Sequence, residues 1–181
     1  MLRSERLVLR EFRDQDFEAV HAYGADPDVV RYMPWGPNSE AETRDFLERA
    51  QSYTEIEPRV EFELAIVGAD SGQLIGGIGI HTHGTNAMLG YCLAKPAWGK
   101  GYATEAARVV TGFGFEKLSA HRIFASCDPD NTASIGVLTK LGMTGEGRRR
   151  QDCRIRGEWR DSLLFSILDD EWVRADEIDT G

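Results

Sequence analysis

The stretch that decides the fold reads Gly90-Tyr91-Cys92-Leu93-Ala94-Lys95-Pro96-Ala97-Trp98-Gly99-Lys100-Gly101-Tyr102-Ala103-Thr104-Glu105-Ala106. It predicts a strand, then a loop bent by a proline and two glycines, and then a helix that begins near Tyr102. The first amides of a helix lack intrahelical acceptors and lie at the positive end of the helix dipole. The segment is therefore either an ordinary glycine turn or a binding site for a phosphate or diphosphate.

Two well-known phosphate loops do not match this segment. A P-loop has four residues between its glycines, followed by Lys-Ser or Lys-Thr, and this loop has neither feature. A dinucleotide-binding loop needs a third glycine at the position where Thr104 stands. Asp128 does follow the next predicted strand, residues 122–127, but the third glycine is still missing. A diphosphate bound here belongs to another class of ligand.

A second segment, residues 128–143, predicts a short capped helix. Its Asp-Pro-Asp start forms a turn, Asn131 suits the N-cap, and Gly142 suits the C-cap. Two leucines between the caps form an apolar stripe. Taken alone, this pattern gives Asn131 and Ser134 structural roles only.

The two segments together, in this order and spacing, resemble the acetyl-CoA site of the GNAT acetyltransferases. The resemblance covers nearly the whole chain, and residues 2–10 and 98–106 are similar to the RimJ/RimL-like branch, which acetylates protein N-termini. It implies acetyl-CoA as co-substrate, with the glycine loop on the CoA diphosphate and the Asn131-x-x-Ser134 helix beside pantetheine and thiol. The cofactor-binding residues that it implies are Cys92, Leu93, Trp98, Gly99, Lys100, Gly101, Tyr102, Ala103, Thr104, Asn131 and Ser134.

The predicted strands outnumber the helices, and most neighbouring strands are joined by hairpins, which favours an α+β fold with a mixed sheet. The resemblance implies a mostly antiparallel sheet of about seven strands flanked by helices. It also implies a splayed central pair, residues 90–94 and 122–127. We expect one GNAT domain over residues 1–181, of which 170–181 form a polar C-terminal tail.

The resemblance also implies a group that protonates the leaving thiolate. Leu138 stands where the wider family often has a tyrosine with this role, and related branch enzymes suggest Ser134 instead. Glu105 lies in the first helical turn, where a carboxylate stabilises the dipole by about 0.3–1 kcal/mol or, alternatively, contributes to the acceptor pocket. We therefore expect Ser134 and Glu105 to be catalytic. Further candidates for a base that acts through water are Glu63, His81, Asp152 and Asp161.

Three aromatic residues are candidates for binding the acceptor: Trp35, Tyr91 and Trp159. Core packing is the ordinary role of such side chains. Trp35, however, lies in a Pro-flanked loop that suits the rim of a pocket, and the resemblance implies that this loop lines the acceptor site.

Composition and charge exclude several classes of protein. The chain has 181 residues, and its 21 basic and 30 acidic side chains give a net charge of −9, which argues against a general nucleic-acid binder and mildly favours cationic substrates. The arginine-rich hairpin at 148–160 predicts a solvated face or a substrate-facing strip rather than a nucleic-acid patch. His81 and His83 share a strand face but lack an evident third ligand, so we expect no metal.

We expect a cytoplasmic protein, either a monomer or a homodimer, with no membrane partner. The three cysteines form no C-x-x-C pair, which favours a reducing compartment. The N-terminus shows no apolar signal region, and no apolar run approaches the roughly 20 residues of a membrane helix.

The expected reaction is acetyl transfer from acetyl-CoA to a primary amine, most simply the α-amine of a protein or peptide. At pH 7.4 an α-amine of pKa about 7.7 is roughly one-third neutral, whereas a lysine of pKa about 10.4 is only about 0.1% neutral. A chain without an evident strong base therefore suits α-amines better. The alternatives are a small-molecule amine (antibiotic, polyamine or amino acid) as acceptor, or a non-catalytic acyl-CoA-binding module.

Overall fold

The computed structural model describes residues 1–172, and the strands among them form one sheet of eight. In chain order the strands are β1 (Leu2–Arg3), β2 (Leu7–Glu11), β3 (Glu61–Gly68), β4 (Leu74–His83), β5 (Asn86–Leu93), β6 (Arg122–Cys127), β7 (Thr144–Ile155) and β8 (Glu158–Leu168). Their spatial order is β1-β2-β3-β4-β5-β6-β8-β7, and all neighbours are antiparallel except β5 and β6. The predicted mixed α+β sheet is confirmed. The strand beyond the expected seven is β1, which is too short to show an alternating pattern.

Two of the helices begin at the side-chain caps that the local sequence predicts. Ser39 accepts a hydrogen bond from the Glu42 amide, and the Glu42 carboxylate accepts from Ser39 in return, which is a complete capping box. Asn131 accepts from the Ser134 amide at 3.1 Å. The α-helices are α1 (Phe17–Gly24), α2 (Glu40–Ser52), α3 (Tyr102–Glu116) and α4 (Thr132–Lys140), with 3-10 turns at Asp14–Asp16, Tyr53–Glu55 and Lys95–Ala97.

Strand alternation divides the core between the two faces of the sheet. On one face, which we call the α3 face, α3 and α4 pack on residues such as Ile78, Ile80 and Ile123. On the other, the α1 face, α1 and α2 pack on residues such as Ala65 and Val67. The two faces therefore present different side chains of the same strands to different helices.

Helix α3 lies very close to the centre of the sheet. Ala106, Ala107 and Val110 are completely buried, and full burial of a valine side chain alone stabilises a fold by about 1.5–3 kcal/mol. At Gly114 an added Cβ would lie 2.7 Å from the ends of two isoleucine side chains of β4 and β6. This close packing holds the N-terminus of α3 beside the end of β5.

The parallel pair β5 and β6 separates after three residues. Asn86, Ala87 and Met88 pair with the first three residues of β6, and both strands then continue without pairing to each other. Further along, β6 pairs only with β8 on its other side, as far as Cys127. The splayed central pair predicted from the sequence is confirmed, and it leaves one edge of β5 open from Leu89 onward.

The chain after β8 corrects one expectation. Residues 169–172 are helical, and Trp172 is buried in the α3-face core against Phe115 and Gly112 of α3. A polar tail therefore does not begin at residue 170, because the indole contributes apolar area to the core. The remainder of that predicted tail, residues 173–181, lies outside the described residues.

Candidate functional site

The loop before α3 is held in a conformation that only glycine adopts readily. Gly99 and Gly101 have φ values of +72° and +81°, and Gly101 is the N-cap of α3. The first α-helical bond runs from the Glu105 amide to the Gly101 carbonyl at 3.1 Å. The amides of residues 102–104 therefore have no acceptor within the helix. They point out of its N-terminus, beside a loop in which two positions are glycine.

Arg6 fastens this loop to the edge of the sheet. Its Nη1 donates to the Lys100 carbonyl at 3.1 Å, and its guanidinium lies over the Tyr102 ring, 4.7 Å from the centroid. Its Nε and its backbone amide both donate to the Glu105 carboxylate, at 2.7 and 2.9 Å, and the Ser4 hydroxyl donates there too. Sequence reasoning missed Arg6, because nothing in a strand-like segment indicates a partner 99 residues away.

The same contacts argue against the expected catalytic role of Glu105. Partial burial acts to raise the pKa of its carboxyl, but the hydrogen bonds from Ser4 and Arg6 and the Arg6 charge outweigh it, so the pKa is lowered. A carboxylate that accepts these bonds is a poor base. The structure places Glu105 as the anchor of the Arg6 clamp, in addition to its favourable position in the first helical turn.

The register of β5 shows which backbone groups face the open edge. The Ala94 amide donates to Ile75 of β4 at 2.9 Å, and antiparallel pairs alternate, so the Cys92 amide also belongs to the β4 ladder. Tyr91 and Leu93 then direct their N–H and C=O groups toward the gap. The Leu93 carbonyl accepts from the Trp98 indole at 2.8 Å, which closes the loop onto the strand. The Cys92 amide and carbonyl therefore pair with β4, so the backbone of Cys92 does not face the gap as its expected cofactor-binding role would require.

Beside the gap, α4 brings Ser134 to Tyr91. Their hydroxyl oxygens are 2.9 Å apart, and the Asn131 cap fixes the Ser134 backbone. Burial raises the pKa of Tyr91 to about 12, although the hydrogen bond to Ser134 opposes this shift. Ser134 also contacts the Cys127 thiol. Burial raises the pKa of this thiol, and the hydrogen bond to Ser134 opposes the rise. Tyr91 thus lies on the α3 face, where its hydroxyl contacts Ser134.

The remaining two aromatic candidates lie in the loop after α1 and in the β7–β8 hairpin. Arg156 in the hairpin turn donates to the carbonyls of Val30, Arg31 and Gly36, and so ties the hairpin to the loop of Trp35. Trp159 follows the same turn, is 60% exposed, and lines a cleft with Arg148 and Asp161. The structure therefore joins the two segments through Arg156.

Most arginines of the hairpin are occupied by partners within the protein. Arg160 forms hydrogen bonds to Asp128 and Asp130, and Arg148 forms one to Asp161. Arg149 pairs with Asp152 at 3.1 Å. These contacts engage both Asp152 and Asp161, two of the candidate bases, in ion pairs, and they leave little of a basic patch.

Metal ligation and membrane spanning can be assessed over residues 1–172, the part of the chain that the structure describes. Among residues 1–172, no three His, Cys, Asp or Glu side chains converge as metal ligands would. Over the same range, every helix is too short or too polar to cross a bilayer.

Comparisons with known proteins agree with this geometry. Residues 6–144 match the family described as acetyltransferase (GNAT) domain. The chain is 32% identical over 175 residues to the uncharacterized N-acetyltransferase YnaD of Bacillus subtilis (strain 168), across 93% of this chain and 97% of the relative. It is 26% identical over 169 residues to spermidine N(1)-acetyltransferase of Escherichia coli (strain K12), across 91% and 87%.

Solved structures show the same similarity. An acetyltransferase (GNAT family) from Bacillus anthracis matches with a TM-score of 0.83 and 33% identity, across 94% of this chain and 99% of that one. Mycobacterium smegmatis RimJ in complex with CoA-disulfide matches with a TM-score of 0.79 and 25% identity, across 94% and 89%. The chain belongs to the GNAT acetyltransferase family. It is an N-acetyltransferase, and its acetyl donor is acetyl-CoA.

The Arg6 clamp predicts a specific acid dependence of stability. The pKa of Glu105 is lowered in the folded state, so the unfolded chain takes up this proton first as the pH falls. The contribution of Glu105 is therefore present above the unfolded pKa of about 4.3 and is lost as the pH falls through the folded pKa. In urea unfolding, Glu105→Gln should be less stable than wild type at pH 7, and the two should converge as the pH falls through the folded pKa of Glu105.

The matched control is Glu40→Gln, which removes an exposed carboxylate that forms an ion pair with Arg44 at 3.4 Å. Its free energy of unfolding should stay close to that of wild type at pH 7, because exposed ion pairs contribute little. A constant gap between Glu105→Gln and wild type from pH 7 to pH 3 would contradict the clamp.

Proposed function

We propose that the protein acetylates the α-amine of a protein or peptide, with acetyl-CoA lying between the splayed strands. The observation that carries this proposal is the open edge of β5, which leads directly into the glycine-capped N-terminus of α3. A thioester tail paired with that edge and a diphosphate on that helix terminus would be held by one continuous set of backbone groups.

The diphosphate would be bound by the loop from Gly99 to Gly101 and by the first amides of α3, at Tyr102, Ala103 and Thr104. These amides have no helical acceptor, and the dipole of a 15-residue helix favours a negative charge there. Lys100 adds a positive side chain, and Arg6 keeps the loop in place through the Lys100 carbonyl. Trp98 has a supporting role, because its indole nitrogen is bound to Leu93.

Pantetheine would pair with β5 as a strand does. The Leu93 amide is nearer to the glycine loop and would hold the pantetheine chain. The Tyr91 amide lies two residues deeper in the gap and would donate to the thioester carbonyl. A backbone donor fixed in this way stabilises the oxyanion that forms when the amine attacks, without rearrangement during the reaction.

The hydroxyls of Tyr91 and Ser134 would face the departing sulfur. A CoA thiol has a pKa of about 8.5, whereas that of Tyr91 is raised to about 12. The two pKa values differ by about 3.5 units, so complete proton transfer from tyrosine to thiolate would cost about 5 kcal/mol. The pair would therefore stabilise the thiolate by hydrogen bonding, and water would supply the proton that the thiol finally carries.

An extended acceptor suits the surface of the β7–β8 hairpin and the loop after α1. Trp35 and Trp159 present exposed aromatic surface on these two segments, which Arg156 joins. Such surfaces can contact the peptide residues that follow a reactive N-terminus. The chain is similar to RimJ over 94% of its length.

A polyamine is the second candidate acceptor. The E. coli relative is a spermidine N(1)-acetyltransferase by name, and it matches over 91% of this chain. The net charge of −9 also favours a cationic acceptor of either kind.

We further propose that the whole chain forms one domain and acts in the reducing cytoplasm. Cys92, Cys127 and Cys153 are free thiols, which supports that compartment.

The cofactor site predicts that Gly101→Val lowers the affinity for acetyl-CoA at least tenfold by calorimetry. The new side chain would stand among the amides that receive the diphosphate, and the positive φ would be strained. Gly72→Val is the matched control, because Gly72 also has a positive φ, +64°, with nothing near its Cβ position. It should lose comparable stability and keep full affinity. Equal affinities in the two variants would refute the assignment.

The hydroxyl pair predicts slower turnover when either member is removed. Tyr91→Phe and Ser134→Ala should each lower kcat about tenfold or more in a thiol-release assay, with little change in the KM for acetyl-CoA. The control is Thr139→Val, which removes another hydroxyl of α4 that bonds only to the Ile135 carbonyl in its own helix. Normal kcat in both site variants would show that water, and not these two hydroxyls, stabilises the thiolate.

The acceptor itself is tested with acetyl-CoA, a cell extract and mass spectrometry of the acetylated products. We expect acetyl groups on N-terminal α-amines, and a parallel thiol-release assay should show peptides preferred to spermidine and aminoglycosides. Acetylation restricted to polyamines, or to lysine side chains, would overturn the α-amine proposal and leave the acetyltransferase assignment unchanged.

A further inference from the structure

A titratable pair lies on the α1 face of the sheet, opposite the side from which α3 packs. Nε2 of His81 on β4 is 3.0 Å from Oε1 of Glu63 on β3, and Nδ1 of His81 is 4.0 Å from Glu61. The side chain of His81 is only 19% exposed, and that of Glu63 is 22% exposed. None of the contacts described above for the cofactor site uses this pair.

Two glycines connect this pair to the reacting strand. Glu63 is the register partner of Gly79, and Gly79 is the partner of Gly90 on β5. A Cβ on Gly79 would lie 2.8–2.9 Å from the Glu63 carboxyl group, so this carboxylate lies directly over Gly79. A Cβ on Gly90 would meet nothing within 4 Å. Since adjacent strands are about 4.8 Å apart, the space between the carboxylate and Gly90 suits a single water molecule.

Gly90 stands where β5 has just lost its partner β6. Pairing ends at Met88, and Met88 is 42% exposed although its strand is central in the sheet. The α1 face is therefore open to solvent at this point. Because α3 and its glycine loop approach from the opposite face, an amine can reach the same point of the gap from the α1 face without meeting the cofactor.

We infer that Glu63 and His81 act together as the proton acceptor for the incoming amine, through a water held above Gly79 and Gly90. This inference rests on the proposed acetyl transfer and names the base for it. The substrate ammonium gives one proton to the water, which passes a proton to the pair, where it rests on the imidazole beside the Glu63 carboxylate. The neutral amine then forms the C–N bond as the C–S bond breaks. The second nitrogen proton leaves to solvent, and the thiolate takes one from solvent.

The electrostatics of the pair suit this role. The hydrogen bond to Glu63 raises the pKa of His81 above its usual 6.5, burial opposes the rise, and the charges of Glu63 and Glu61 add to it. The Glu63 carboxylate therefore stabilises the protonated imidazole, which lets His81 hold the proton that arrives from the amine. The titratable and charged groups that surround the pair are Glu61 on β3, His83 on β4, Cys92 on β5, Tyr23 on α1, Arg49 on α2 and Tyr53 in the turn after α2.

Two of these neighbours stay neutral across the working range. Burial raises the pKa of the Cys92 thiol to about 12, and burial together with nearby negative charge raises that of Tyr23 well above 10. Neither competes with His81 for the proton. Glu61 and Glu63 also place negative charge on the side where an ammonium group would arrive.

The test is the pH dependence of kcat with a peptide α-amine, measured by thiol release at saturating acetyl-CoA. In wild type, kcat should rise through the pKa of His81 and level off above it. In His81→Gln the rise should move up toward the pKa of the amine itself, about 8, and at pH 6.5 this variant should be about tenfold slower than wild type, with an unchanged KM for acetyl-CoA. In Glu63→Gln the rise should instead move down together with the pKa of His81, to a lower plateau. His83→Gln, on the same strand and face, should match wild type.

A merely structural pair would give a different result. Removing a stabilising cross-strand contact would lower Tm in both variants and leave the pH at which kcat rises where it was, and this outcome would overturn the inference. An independent readout is NMR titration of the His81 imidazole, whose pKa should fall in Glu63→Gln and whose signal should be absent in His81→Gln. If the wild type accepts only a polyamine, the α-amine proposal fails. The same variants and pH series then test the pair with that polyamine.

Discussion

The structure depends on a strand pairing that is interrupted in the centre of the sheet. Two parallel strands, β5 and β6, begin side by side and separate after three residues, so that β5 presents backbone donors and acceptors with no strand to receive them. Leaving a buried backbone group without a partner costs about 1–3 kcal/mol. A fold retains such an edge where a ligand completes it, and an extended, amide-bearing chain such as pantetheine has the shape and the hydrogen-bonding groups to do so. In the proposed arrangement, the helix that follows β5 would receive the charged end of the same molecule.

The sheet separates the two halves of the proposed reaction. The α3 face carries the glycine loop and the hydroxyls of Tyr91 and Ser134, which suit the donor and its leaving sulfur. The α1 face carries Glu63 and His81, which suit the removal of a proton from an acceptor. Residues on one strand serve either face according to whether their position is odd or even. A one-residue slip of β5 would exchange these roles, which places a strict demand on its register.

Local patterns predicted much of this architecture, and distant pairings account for what they missed. Strand β6, the Ser39 cap and the Asn131 cap depend on neighbouring residues, and they could be predicted. The Arg6–Glu105 contact joins residues 99 positions apart, and the Glu63–His81 pair depends on the register of two strands. Sequence patterns specify that strands exist more readily than they specify which residues face each other. They therefore did not indicate that Ser4 and Arg6 hold the Glu105 carboxylate, or that the backbone of Cys92 pairs with β4.

The Arg6 clamp has a consequence for the order in which the protein becomes functional. The glycine loop is steadied by residues from the very start of the chain, Ser4 and Arg6, yet their anchor Glu105 is synthesised a hundred residues later. The first strand must therefore be available until α3 has been synthesised, and only then can the glycine loop take its final shape. The loop proposed to hold the diphosphate thus forms together with long-range closure of the sheet edge. A change confined to the first few residues would alter the loop at the start of α3, about a hundred residues away in sequence.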